Sequence, residues 1–171
     1  MRIAYADPPY PGCARLYKDH KDYAGEVDHK ELIDRLNRDY DGFVLHTAST
    51  TLSQVLAMCP ESVRVMAWVK PFAAFKRNVS VAYAWEPVIV KACRKPVVSG
   101  RIVMRDWVSQ CITMKKGLTG AKPHPVCRWA FEMVGANPDD DLIDLFPGTN
   151  AVSNAWQDWK RDVINQPSVK S

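Results

Sequence analysis

Short apolar runs alternate with amphipathic stretches along the chain. The apolar runs predict strands at 3–6, 43–47, 63–69, 88–90 and 142–146, with a further strand or edge segment at 79–85. Apolar residues recurring every three or four positions predict helices at 28–39, 50–58, 125–134 and 151–163. Strands that alternate with helices are typical of an α/β fold. We therefore expect a single Rossmann-like open sheet of about five strands with helices on both faces.

Local signals define the ends of several elements. Asp28 is a predicted N-cap, because Glu31 follows at capping-box spacing. Pro125 suits a first helical turn, and Gly135 suits the residue that ends that helix. The segment from 94 to 120 has no confident assignment beyond an extended stretch at 101–104.

Composition indicates one soluble globular domain spanning 1–171, since 47% of its 171 residues are hydrophobic and 25% are charged. No apolar run approaches membrane-spanning length, and the N-terminal residues lead directly into a strand rather than a signal peptide. The five cysteines are scattered and include no C-x-x-C pair, so we expect reduced thiols without structural zinc. These features predict a cytoplasmic protein with no membrane partner and no metal.

Positive charge is concentrated in one part of the chain. Residues 94–128 carry a net charge of +7, while the whole protein carries +4, so the remainder is negative. Eight basic residues produce this charge: Arg94, Lys95, Arg101, Arg105, Lys115, Lys116, Lys122 and Arg128. Hydrophobic and aromatic residues interleave them, which favours a contact surface for a phosphate backbone over a merely solvated loop.

A rigid pair of acceptors follows the first predicted strand. Pro8 and Pro9 hold the backbone extended after Asp7, and neither proline has an N–H to donate. The Asp7 carboxylate and the free Pro8 carbonyl suit an amino group, which offers two donors. Tyr10 adds a flat ring that could stack on a planar substrate. Taken alone, the segment is equally compatible with an ordinary strand-ending turn.

A glycine-containing loop follows the last predicted strand. The sequence Asp144-Leu145-Phe146-Pro147-Gly148-Thr149-Asn150 leads from that strand into a helix. Helix N-terminal amides and a glycine that admits close backbone approach are typical of an anion or cofactor site. In an open sheet, ligands bind beyond the carboxyl ends of the strands, where Asp7 and Asp144 both lie.

Together the two motifs resemble those of amino-group methyltransferases that act on nucleic-acid bases. Asp7-Pro8-Pro9-Tyr10 resembles the DPPY catalytic motif, and 144–150 resembles the S-adenosylmethionine motif D-x-F-x-G-[ST]-G. The catalytic motif comes first, as in the permuted, beta-type order of adenine-N6 and cytosine-N4 DNA methyltransferases. Lys122-Pro123 resembles the K-P element of that family.

The resemblance implies a role for each matching residue. Asp7 and the Pro8 carbonyl would accept hydrogen bonds from the exocyclic amine, Pro9 would stiffen the motif, and Tyr10 would stack on an extruded base. The residues of the cofactor site would be Asp7, Asp144, Phe146, Gly148, Thr149 and Asn150, with Asp144 facing the ammonium group of S-adenosylmethionine. The implied partner is DNA, with adenine N6 as the leading target and single-stranded DNA or RNA as further candidates.

Departures from the family pattern keep other interpretations open. Asn150 stands where glycine is usual, and little sequence follows the last helix to supply the family's ribose-binding acid. A homodimer could supply the missing strand. No long recognition domain is present, so 94–120, with Arg94, Lys95, Arg101, Arg105, Lys115 and Lys116, is the predicted minimal recognition segment. The small size suggests a phage or mobile element. The alternative is a nucleic-acid-binding protein with a degenerate methyltransferase site; a third is methylation of a non-base amine.

Overall fold

A computed structural model describes residues 1–13, 25–72, 79–94, 104–113 and 121–165 of the chain. Within these ranges, six strands form one mixed sheet in the spatial order β5-β3-β4-β2-β1-β6. The strands are β1 (Arg2–Ala6), β2 (Gly42–His46), β3 (Arg64–Val69), β4 (Trp85–Lys91), β5 (Trp107–Ser109) and β6 (Asp141–Asp144). In the centre of the sheet, β1 runs parallel to both β2 and β6. β4 runs antiparallel to its two neighbours, β2 and β3, whereas β5 is parallel to β3.

Four α-helices cover the sheet within the described ranges, and predicted signals mark the start of α1 and the end of α3. They are α1 (His29–Asp39), α2 (Leu52–Leu56), α3 (His124–Val134) and α4 (Ala151–Asn165). The Asp28 side chain caps α1 by accepting the Glu31 N–H at 3.0 Å. Gly135, at φ 77°, ends α3 in the left-handed conformation that glycine adopts without steric cost.

Two hydrophobic cores lie on opposite faces of the sheet. One contains the inward stripe of α1 (Leu32, Ile33 and Leu36) with alternate residues of β1 and β2. The other packs α3 and α4 against the opposite face, around Phe131, Trp156 and Trp159. Because the central strands are buried on both faces, they read as continuous apolar runs. The prediction of an open α/β sheet with helices on both faces is confirmed. No helix in the described ranges is long and apolar enough to span a membrane.

The structure corrects several local predictions. The sheet has six strands rather than about five, because the three-residue β5 is too short to show an apolar pattern. The predicted helix at 50–58 divides into a 3₁₀ turn at Ser49–Thr51 and the short α2. The predicted strand at 79–85 contributes only Trp85, which begins β4. The apolar segment around Trp85 suggests a core residue, but Trp85 is 40% exposed, whereas Trp68 of β3 is buried.

Other predictions fall outside the described residues. These include most of the loop after the catalytic motif, the extended stretch at 101–103 and the last six residues of the chain. The two glycines predicted to mark loops near the end of the basic segment, Gly117 and Gly120, also lie there.

Candidate active site

The two sequence motifs lie next to each other at one edge of the sheet. Tyr5 of β1 pairs in register with Asp144 of the parallel β6. Leu145, the next residue, donates its N–H to the Tyr5 carbonyl at 2.9 Å. The segments that follow β1 and β6 therefore leave the sheet side by side. This is the carboxyl edge at which open α/β sheets bind ligands.

Three further strands bring charged or titratable residues to the same edge. β2 ends there with His46, and β3 ends there next to Lys70. β4 runs in the opposite direction, so its beginning, with Glu86, lies at this edge. Lys122 lies in the segment that precedes α3, and Pro123 holds the backbone extended at the start of that helix.

A buried lysine joins the Asp7 carboxylate to a second carboxylate. The Lys122 ammonium lies 2.7 Å from Asp7 Oδ2 and 3.2 Å from Glu86 Oε1. Only 7% of the Lys122 side chain is exposed, whereas the Asp7 side chain is 21% exposed. Asp7 is therefore the member of this trio that a substrate can reach from solvent.

Glu86 contacts two further charged or titratable side chains. Its Oε1 lies 2.7 Å from His46 Nδ1, and its Oε2 accepts a hydrogen bond from Lys70 at 3.0 Å. The Lys70 ammonium also lies 4.5 Å from the centre of the Trp68 ring. The Lys70 side chain is only 16% exposed because it pairs with Glu86.

His46 is held at both ring nitrogens. Its Nε2 lies 2.8 Å from the Tyr5 hydroxyl, opposite the Glu86 contact, and the ring is fully buried. His46 is therefore a buried histidine with both ring nitrogens in hydrogen-bond contact. Tyr5 and His46 thus form the inner end of a continuous polar chain that runs through Glu86 and Lys122 to Asp7.

Neighbouring charges determine the protonation states of Lys122 and Glu86 within this network of polar side chains. Burial alone would lower the pKa of Lys122, but Asp7, Tyr10 and Glu86 outweigh it and raise that pKa well above its usual range. Burial opposes ionisation of Glu86 as well, yet Lys122, His46 and Lys70 bring the pKa of Glu86 well below its usual range. Both groups are therefore charged near neutral pH.

Tyr10 is half-buried beside the charged chain. Burial is the main reason why the pKa of its hydroxyl is raised well above the usual range, while the Lys122 ammonium opposes that shift. The phenol therefore stays neutral and can act as a hydrogen-bond donor toward Glu86.

Asp7, His46 and Glu86 bring ligand-type atoms within 4.8 Å of one another, a spacing that could hold a metal ion. The Lys122 ammonium, however, contacts two of the three groups, and the His46 ring nitrogens already face Glu86 and Tyr5. The positive Lys122 ammonium thus balances the negative charge of the carboxylates, and the cluster does not depend on a metal ion for its charge balance.

The loop after β6 has an exposed turn and one carboxylate oxygen without a protein partner. The Phe146 N–H donates to Asp144 Oδ1 at 3.2 Å, but Asp144 Oδ2 is buried and unpaired among the described residues. Burial raises the pKa of Asp144 above its usual value, with a smaller contribution from the nearby Asp7 charge. Such an oxygen is a ready acceptor for a cationic donor.

The turn accommodates Asn150 in place of glycine. Asn150 has φ 58° and Gly148 has φ 44°, so both adopt the left-handed region. Asparagine tolerates this region better than most residues, which explains how the turn keeps its shape. The Asn150 carbonyl then accepts the Asn154 N–H at 3.0 Å in the first turn of α4. Gly148, Thr149 and Asn150 are exposed, whereas Phe146 is half-buried.

Sequence reasoning did not identify Glu86 and identified Lys122 only through the resemblance. Glu86 precedes Pro87 in a segment that reads as punctuation between two strands. The available signal in the sequence is a glutamate at the start of an apolar strand. Such a glutamate is buried in the structure, and glutamate is rarely buried without a partner. His124, which was not predicted as a base, forms a partly exposed pair with Asp158 at 3.4 Å.

Two of the six predicted nucleic-acid contacts lie within the described residues. The Arg105 guanidinium lies 5.4 Å from the centre of the exposed Trp107 ring. The Arg94 guanidinium forms two 2.6 Å hydrogen bonds with the Asp140 carboxylate and lowers the pKa of that group. Lys95, Arg101, Lys115 and Lys116 lie outside the described residues.

Comparisons with known proteins give a fold and no sequence family. No family model and no curated protein matches the chain. Among solved structures, the M1.HpyAVI–SAM complex is similar, with a TM-score of 0.63 and 18% identity over 94% of this chain and 79% of that chain. A crystal structure of M1.HpyAVI gives a TM-score of 0.54 and 16% identity over 93% and 76% of the two chains. These likenesses confirm the Rossmann-like α/β fold.

Proposed function

We propose that this protein transfers a methyl group from S-adenosylmethionine to an exocyclic amino group of a nucleic-acid base, with adenine N6 in DNA as the leading target. The observation that carries the proposal is the register of β1 and β6, which places the segments that begin with Asp7 and Asp144 side by side. Support also comes from the similar fold of M1.HpyAVI, whose structure was solved as a complex with SAM.

The residues around Asp144 suit the cofactor. Asp144 Oδ2, a buried carboxylate oxygen with no partner in the described part of the chain, is suited to an ammonium group such as that of the methionine portion. The exposed turn at Gly148, Thr149 and Asn150 offers backbone groups at the start of α4, and the half-buried Phe146 offers an apolar surface. When bound, S-adenosylmethionine supplies a methyl group already activated on a sulfonium.

The DPPY segment suits the amino group that receives the methyl. Asp7 and the Pro8 carbonyl accept one N–H each, which turns the nitrogen lone pair away from the acceptors and toward the bond to be formed. As the new C–N bond forms, the C–S bond breaks and its electron pair remains on sulfur. The amine then loses one proton to solvent, so charge and atoms balance.

Nucleic acid is the proposed partner because the basic segment carries a charge of +7. Arg105 and Trp107 pair a cation with an exposed ring, a combination suited to a phosphate next to a stacked base. We assign the same contact role to Lys95, Arg101, Lys115 and Lys116, whereas Arg94, predicted as a further contact, is paired with Asp140.

Transfer of labelled methyl groups tests the proposal directly. The purified protein is incubated with labelled cofactor and with double-stranded DNA, single-stranded DNA or RNA, and the digested nucleosides are identified by mass spectrometry. We expect N6-methyladenine in DNA. Absence of methylation in every substrate, together with retained nucleic-acid binding and no cofactor binding, would favour the alternative of a nucleic-acid-binding protein with a degenerate site.

A further inference from the structure

We propose that Glu86 is a positioning residue for methyl transfer, which acts through Lys122 to hold the Asp7 carboxylate in its amine-accepting orientation. The inference rests on the proposed function. It adds to the site a residue that belongs to neither sequence motif and that comes from a different strand, β4.

The contacts form a single chain from the sheet to the reacting edge. Glu86 Oε1 lies 3.2 Å from the Lys122 ammonium, which in turn lies 2.7 Å from Asp7 Oδ2. A lysine has a long flexible stem, so a single ion pair would leave its ammonium free to turn about Asp7. Contacts on two sides restrict the ammonium to the space between the two carboxylates.

Glu86 is itself held from the interior of the protein. His46 lies 2.7 Å from Oε1 and is fixed by the Tyr5 hydroxyl at 2.8 Å from its other nitrogen. Lys70 holds the second oxygen at 3.0 Å. Glu86, Lys122 and His46 each expose less than a tenth of their surface, so water does not compete strongly for these contacts.

The network of Glu86, Lys122 and Asp7 is unsuited to carrying the proton that the amine releases. A relay needs groups that change protonation during turnover, but the pKa of Lys122 is raised and that of Glu86 is lowered, so both keep their charge. The network therefore supplies orientation and charge balance. Asp7 acts as a hydrogen-bond acceptor, with Oδ2 turned to Lys122 and Oδ1 left for the substrate N–H.

A double-mutant cycle separates positioning from a purely structural role. We compare Glu86→Gln, Lys122→Met and the double variant by kcat and KM, after thermal denaturation has shown that each is folded. We expect kcat to fall about 10-fold in Glu86→Gln and about 100-fold in Lys122→Met, with both KM values within about 3-fold of wild type. The double variant should be no slower than Lys122→Met, because Glu86 acts only through Lys122.

The matched control removes an ion pair on α1, outside the residues assigned to catalysis or to nucleic-acid contact. Lys30 pairs with Asp34 one turn further along that helix, and both side chains reach solvent. Lys30→Met should retain wild-type kcat.

Two results would overturn the inference while leaving the proposed function intact. One is an unchanged kcat in folded Glu86→Gln, and the other is a double variant about 10-fold slower than Lys122→Met, which would show independent action. If Glu86→Gln does not fold, Tyr5→Phe loosens the His46 contact without changing any charge, and kcat should then fall about 3-fold. Absence of methyl transfer by the wild-type protein would instead overturn the proposed function and this inference with it.

Discussion

Asp7 and Asp144 follow neighbouring parallel strands at the same edge of the sheet, but their carboxylates have opposite surroundings. Asp7 faces a buried lysine that is itself held by a second carboxylate. Asp144 receives one backbone N–H on one oxygen and has no partner among the described residues on the other. The first carboxylate is oriented before any ligand arrives, whereas the second is left ready for a cation.

The different surroundings of Asp7 and Asp144 suit the two roles, orienting the amine and binding the cofactor, that the proposed function gives them. A reacting group gains rate from being held in place in advance, since its orientation then costs nothing during the reaction. A binding group gains affinity when its ligand relieves an unsatisfied buried charge. In the proposed reaction, the surroundings of Asp7 would favour rate, and those of Asp144 would favour cofactor affinity at the expense of stability in the free protein.

The largest expected effect comes from removing the oriented carboxylate. Asp7→Ala deletes an acceptor for the amino group, so we expect methyl transfer to fall by about 1,000-fold or more, whereas the loss of cofactor affinity from this residue, which also belongs to the predicted cofactor site, should stay below about 10-fold. Labelled-methyl assays and calorimetry measure the two quantities. Asp39→Ala, a change at the exposed end of α1, is the control. Equal losses in binding and rate would contradict the division of roles.

The next largest effect concerns the contribution of Glu86 and its ion pairs to the stability of the fold. Glu86→Leu leaves two lysines without their shared carboxylate, so we expect a loss of about 3–5 kcal/mol in the free energy of unfolding at neutral pH. The folded-state pKa of Glu86 lies below its ordinary value of 4.5, so its stabilisation is present above that pH and is lost as the pH falls through the lower value. The difference between wild type and variant should shrink in acid. A difference independent of pH between 2 and 7 would contradict the charge assignment.

A smaller change in stability is expected at Asp144, where substitution should stabilise the cofactor-free protein rather than destabilise it. Its folded-state pKa is raised above the ordinary 3.8, so the group favours folding at low pH and this contribution is lost as the pH rises through the folded pKa. Asp144→Asn keeps the Phe146 contact and removes a buried charge. We expect the Tm of the cofactor-free protein to rise by about 3 °C at pH 7 and to be unchanged near pH 3. A lower Tm at pH 7 would show that Oδ2 is satisfied in solution.

The smallest effect tests the turn before α4. Asn150→Ala places a residue less tolerant of positive φ at 58°, so we expect a loss of about 1 kcal/mol in stability. Asn150→Gly should be close to wild type in stability, as measured by chemical denaturation. If Asn150→Gly raises cofactor affinity by more than about 10-fold, the asparagine limits binding rather than merely fitting the turn.

The sequence predicts the two motif segments well because each is local. A strand followed by Pro8 and Pro9, and a strand followed by Gly148 and a helix, carry their geometry in consecutive residues. Glu86 and Lys70 were missed because their roles depend on the antiparallel insertion of β4 between β2 and β3. That pairing brings the start of one strand to the ends of two others, and no local pattern encodes it. Trp85 was misplaced for a related reason, since it begins β4 at the exposed rim of the sheet.

We expect the loop after β6 to bind the cofactor through Asp144 Oδ2, which has no partner among the described residues. Isothermal titration of S-adenosylmethionine into the wild-type protein and Asp144→Asn tests it most directly. We predict saturable binding to the wild type and an affinity about 30- to 100-fold weaker in the variant, the loss typical of a charged hydrogen bond. Equal affinities, or no binding to the wild-type protein, would contradict the account.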